Sequence, residues 1–86
     1  MNLRSGLYHH YKGKNYYVFK VALHSETDEP MVVYQYLYDD YAWNVRPLNM
    51  FIENIEVAGE LIPRFKFIRE LTDTEIIDAC KGKFCG

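Results

Sequence analysis

Residues 23–31, LHSETDEPM, place His24, Ser25, Glu26 and Asp28 within six positions, which are the residue types of a nucleophile, its base and its orienting acid. Those three roles require side chains that converge, whereas consecutive side chains in a strand or loop diverge. A self-contained triad is therefore not expected. A looser constellation of His10, His24, Glu26, Tyr34 and Arg46 can meet across a small fold, with His24 as acid or base and Arg46 holding an anion. The competing reading makes Ser25 and Glu26 bond the amides of their own loop. Arg46 then pairs with Glu26, and His24 closes a strand end.

Other chemistries find less support in the residues. The chain has no nucleophile elbow, HExxH, phosphate-cradling glycine loop or CxxC, so an enzyme is the less favoured class and no catalytic residue is assigned. His9 and His10 fall on opposite faces of a strand with no third ligand at turn spacing. Cys80 and Cys85, the two cysteines, stand in a polar tail with four residues between them and read as free, reduced thiols. Neither a metal nor a cofactor is expected.

These residues must be positioned by one small core, because 86 residues make a single domain. Hydrophobic residues are 49% and charged residues 26%, which fits a soluble globular chain. No apolar run reaches membrane-helix length, and MNLRSGLYHHYKG lacks the apolar core of a signal peptide. A cytoplasmic location without membrane contact is expected. Eight tyrosines, five phenylalanines and one tryptophan favour strands, where rings pack on a pleated surface and leave polar tips wet.

The segments are short. Residues 6–11 read as a strand closed by a turn at Lys12 to Asn15. Residues 16–24 alternate, with Tyr17, Phe19, Val21 and Leu23 as the expected core face. Residues 31–38 alternate as well, with Val32, Tyr34, Tyr36 and Tyr38 on one side, and residues 25–30 make the hairpin loop between these two strands. After a turn at Asp39 to Tyr41, a strand from Trp43 ends at Pro47, which has no amide to give to a ladder. A helical turn is placed near 47–52. An irregular hairpin then runs from Ile55 to Ile68. Thr72-Asp73-Thr74-Glu75 is a capping box that opens a short helix near 73–81, with Gly82 as its stop. Five or six short strands without βαβ alternation predict a small, mostly antiparallel barrel or strongly bent sheet, divided as a β domain over 1–68 and a helical tail over 69–86.

The segments GLYHHYKG, VALHSETDEPMVVYQYLY, VRPLNMF and PRF, in this order, resemble the bacterial family known as domain of unknown function 1653 over about residues 5–67. The resemblance implies an SH3-like small barrel. It puts family positions at Tyr8, His10, His24, Glu26, Tyr34, Trp43, Arg46, Pro47, Arg64 and Phe65. It departs at Asn44, which separates Trp43 from Val45-Arg46-Pro47, where the family pattern sets tryptophan directly before Val-Arg-Pro. The tail after Ile68 lies outside it.

The net charge of −2 is uneven. Residues 1–24 carry Arg4, Lys12, Lys14 and Lys20 without an acid, while residues 25–60 set eight acids against Arg46. Small barrels bind extended peptides or unstacked bases on aromatic surfaces, here the rings of Tyr34, Tyr36, Tyr38, Tyr41 and Trp43. The acidic block beside them repels phosphates and favours a protein or peptide partner. A basic face from the N-terminal segment with Arg64, Lys66 and Arg69 is the route to single-stranded nucleic acid. Self-association through Ile76 and Ile77 makes a monomer or weak homodimer. The expected binding residues are His10, His24, Glu26, Tyr34, Tyr36, Trp43, Arg46 and Arg64.

Overall fold

A computed structural model describes residues 3–84, so Cys85 lies outside the described residues. Strands β1 (Gly6–His10), β2 (Asn15–Leu23), β3 (Pro30–Tyr36) and β4 (Trp43–Pro47) lead into a four-residue helix, α1 (Leu48–Phe51). Strands β5 (Asn54–Val57), β6 (Glu60–Pro63) and β7 (Phe65–Arg69) follow, and α2 (Asp73–Cys80) ends the fold. Five strands form one antiparallel sheet in the order β4-β3-β2-β1-β7, and β5 and β6 pair separately. The residues read as one irregular strand, 61–68, divide at Arg64 into β6 and β7, which join different sheets. That division brings the strands among the described residues to seven.

The fold is mostly β and antiparallel as expected, but the sheet does not close, so barrel describes it loosely. Side chains from its two edges nonetheless approach on one side: the Arg46 guanidinium of β4 stands 5.7 Å from the ring centroid of Phe65 in β7. This concave side buries Tyr8, Tyr16, Val18, Val32, Tyr34, Leu48, Phe51 and Phe65. Helix α1 has no side-chain cap, and four residues cannot stabilise themselves in water. Its place is fixed by Phe51, which stacks on Phe65 at 4.1 Å and meets Tyr8 edge-on at 5.6 Å.

The convex side carries a second cluster of Leu7, Tyr17, Leu37 and Ala79, with Tyr41, Leu71 and Ile76 packed against it. Helix α2 supplies Ala79 and Ile76. Buried Gln35 ties the helix down, since its Nε2 donates to the carbonyls of Ala79 at 3.0 Å and Tyr41 at 3.1 Å.

Strand β2 departs from simple alternation. Val18 pairs with Tyr34 and Lys20 with Val33, so Phe19 is an extra residue opposite the β3 ladder, a β-bulge. Tyr16 and Val18 face the concave core, Phe19 and Lys20 both face the convex side, and Val21 returns to the concave core. The expectation that Tyr17, Phe19, Val21 and Leu23 share one core face is corrected on this ground: the bulge exchanges the faces within the strand.

The capping box forms as read. Thr72 Oγ1 accepts from the Glu75 amide at 3.2 Å, and Glu75 Oε1 accepts from the Thr72 amide at 3.0 Å. Glu75 also takes both guanidinium nitrogens of Arg69, at 2.8 and 2.7 Å. The Arg69 hydrogen bonds, then the Thr72 amide, draw its carboxyl from 4.5 down to about 2. A depressed carboxyl contributes stability above its unfolded pKa and loses it as pH falls toward the folded value. Glu75→Gln should therefore unfold at lower urea than the parent at neutral pH, with the gap narrowing between pH 4.5 and about 2. A gap that stays constant with pH would show that the ion pair contributes nothing.

Candidate ligand-binding surfaces

The expected binding residues divide between the two sides of the sheet. Register sets the division. Tyr34 pairs across from Val18 and Tyr36 from Tyr16, which turns both tyrosines to the concave side, whereas Trp43 pairs across from Gln35 on the convex side. One continuous stripe over Tyr34, Tyr36, Tyr38, Tyr41 and Trp43 is thus not formed. Tyr34 is core, Tyr36 stacks on Tyr38 at 5.1 Å, Tyr41 lies under the C-terminal end of α2, and Trp43 stands half-exposed.

At the mouth of the concave side, the ring of Phe65 gathers three of the expected residues. His10 meets it edge-on at 4.9 Å, Tyr34 is tilted against it at 6.3 Å, and Arg46 stands over it at 5.7 Å. Arg64 precedes Phe65 and pairs with Glu53 at 2.7 Å, leaving its buried Nε without an acceptor among the described residues. The His10 Nδ1 accepts from the Lys12 amide at 3.1 Å. Its pKa is held below the ordinary histidine value by burial first, then by Arg64, Arg46, Lys12 and His9. His10 is therefore neutral at neutral pH and carries its proton on Nε2. Tyr16 and Tyr38 share a hydroxyl hydrogen bond of 2.9 Å, and burial with that bond pushes the Tyr16 phenol far up.

His24 and Glu26 do not join this group. The His24 Nδ1 accepts from the amides of Glu26 at 3.1 Å and Thr27 at 3.4 Å, so its ring closes its own loop. Asp28 takes a positive φ of 59° in that turn, and its amide donates to the His24 carbonyl at 2.9 Å. Of Ser25, Glu26 and Thr27, expected to secure the turn, Thr27 does so through its hydroxyl, which accepts from the Glu29 amide at 3.3 Å, and the His24 ring is the other side-chain anchor in place of Ser25 and Glu26.

On the convex side, α2 covers only part of the sheet. Beside it runs a groove of about 430 Å³ lined by Tyr17, Phe19, Val33, Trp43, Ile76 and Cys80. Its walls are aromatic: Trp43 meets Tyr17 at 6.0 Å and Phe19 at 6.1 Å, both at steep angles. Trp43 is 46% exposed, Phe19 48% and Val45 61%. Of the groove's residues the sequence singles out Trp43 alone as a binding residue. Phe19 lies on the side of Tyr17, where alternation along the start of β2 puts it, and Ile76 comes from the α2 face that the sequence offers for self-association.

Among the described residues no three of His, Cys, Asp or Glu gather as a metal site would require, and no helix is long and apolar enough to cross a membrane.

A family model described as protein of unknown function (DUF1653) matches residues 6–67, a stretch that runs from β1 into β7 and stops short of α2. A crystal structure of a DUF1653 protein from Bordetella bronchiseptica is similar, with 35% identity and a TM-score of 0.73, over 81% of this chain and 92% of that one. No curated protein matches.

Proposed function

We propose, for a chain that belongs to the DUF1653 family of proteins of unknown function, that it is a binding module for an extended segment of a partner protein. The observation that carries this reading is the apolar groove lying directly beside a free sheet edge. Among the described residues, strand β4 pairs with β3 and with no other strand, so one row of its backbone groups is open to a further strand. A segment added there alternates its side chains, and every second one lies on the side of Trp43, Val45 and Phe19. Contiguous half-exposed apolar side chains of this kind mark interaction sites. Asp39 and Asp40 precede the edge, and neither is in an ion pair among the described residues, which suits a basic residue flanking the partner's apolar positions.

The nucleic-acid reading draws less support. Three arginines of the basic face are taken by carboxylates: Arg4 by Glu70, Arg64 by Glu53 and Arg69 by Glu75.

A peptide array of alternating valine and threonine with one terminal lysine tests the module directly. Trp43→Ala should weaken binding by about tenfold or more, as loss of a central aromatic anchor does, while a half-exposed ring leaves the urea midpoint nearly unchanged. A proline at the peptide's centre should abolish binding, because it removes a ladder donor. Absence of saturable binding, or affinity indifferent to both changes, defeats the proposal. Sedimentation that shows a dimer lost in Trp43→Ala would make a second copy of the chain the occupant.

A further inference from the structure

We propose that the mouth of the concave side, where Arg46 of β4 meets His10 of β1 and Arg64 ahead of β7, binds the oxyanion of a small ligand, a carboxylate or a phosphate. It is a second site, separate from the convex groove and opening on the other side of the sheet.

Arg46 is the first reason. Arg4, Arg64 and Arg69 each hold a carboxylate, and Arg46 is the one arginine among the described residues that holds none. Its register opposite Val32 turns it to the concave side, and its guanidinium lies over Phe65. A guanidinium set on an aromatic face keeps its fork of donors free for a planar or tetrahedral oxyanion. The partly desolvated surroundings strengthen that attraction relative to open water.

The groups around Arg46 are donors as well. The Lys12 amide occupies His10 Nδ1, which leaves Nε2–H to donate. Arg64 Nε is buried without an acceptor among the described residues, and such a donor normally finds one. Lys14 lies 5.0 Å over the Tyr38 ring, which stacks on Tyr36, so the rim is cationic and aromatic. An acid bounds the site: Glu53 occupies one Arg64 nitrogen at 2.7 Å.

The cations facing His10 are Arg46 from β4, Arg64 from the β6–β7 connection, and Lys12 beyond its own strand, with His9 beside it, the Tyr11 ring at 4.6 Å and the Tyr16 ring from β2. Burial and these charges hold His10 neutral. An oxyanion offsets the charges, so binding must raise the His10 pKa and tighten as pH falls through it.

The test is an NMR titration of the full chain with inorganic phosphate and, separately, acetate, against chloride at equal ionic strength. Saturable shifts at the Arg46 guanidinium and an upward move of the His10 pKa are expected with one or both probes. Phosphate alone, or acetate alone, identifies the anion. Arg46→Gln should lower affinity by about tenfold or more, the value of a charged hydrogen bond, with Arg46→Lys between the two and Trp43→Ala unchanged. Amide spectra confirm that each variant is folded. No rise in the His10 pKa with either probe, or an equal rise in folded Arg46→Gln and Arg46→Lys, overturns the site.

Discussion

Phe51→Ala is expected to destabilise the protein by about 3–5 kcal/mol, the range for truncating a buried phenylalanine. A domain of this size has about 4–13 kcal/mol in total, so the variant should lose from about a quarter to all of its stability. The ring is 1% exposed and stacks on Phe65. It also touches Tyr8 edge-on and lies tilted against Tyr34 at 5.8 Å. The loss is larger than the ring's own area because of where it sits. Phe51 joins an uncapped helical turn to rings from β1, β3 and β7, and among the described residues no hydrogen-bonded strand spans the gap between the sheet edges. Removing it leaves a cavity at that gap and frees α1 together. Urea denaturation followed by far-ultraviolet circular dichroism measures the change, and a loss under about 1 kcal/mol would show that α1 is not part of the core.

Gly6→Ala is the second large effect, at about 2–4 kcal/mol. Gly6 begins β1 with φ of +148°, and a Cβ built there lies 2.5 Å from the Arg69 carbonyl oxygen and 3.0 Å from the Glu70 Cα. Both obstacles are backbone, so no side chain can swing aside. Relief requires β1 and the end of β7 to part, which loosens the pairing of Leu7 with Arg69. Gly13 is the control, since it also has a positive φ, 105°, but nothing within 4 Å of its Cβ position. Gly13→Ala should cost only the backbone strain, about 1 kcal/mol. Equal midpoints for the two variants would refute the close approach at Gly6.

The parts legible in the sequence are those whose causes are local. The capping box at Thr72 and Glu75 needs only three-residue spacing, the loop at residues 24–29 only its polar composition and Pro30, and α1 only Pro47 ahead of an apolar pair. The concave side of β3, with Val32, Tyr34 and Tyr36, follows from alternation along an unbroken strand. Alternation fails in β2 for two reasons: both sides of that strand are apolar, so the pattern has little contrast, and the bulge shifts its phase. The approach of Arg46 to Phe65 depends on how far the sheet curls, and the pairing of Arg64 with Glu53 on how β5 and β6 fold back. Neither is encoded by neighbours in the chain. The expected binding residues therefore put Trp43 and Arg46 together although the register parts them, and omit Phe19, which lines the groove beside Trp43.

In genetic terms, one wall of the convex groove is a single codon. Phe19 is the residue that β2 has beyond what β3 requires, and an in-frame loss of that codon would join Val18 to Lys20 in an even ladder, with Lys20 in place of the ring, without touching the rest of the sheet's hydrogen bonding. Chain length at this one position thus sets whether that wall is a phenylalanine ring or a lysine, while Tyr17, Val33, Trp43, Ile76 and Cys80 stay in place. Relatives can be compared on that point by counting the residues that separate their GLYHHYKG-like and HSET-like segments.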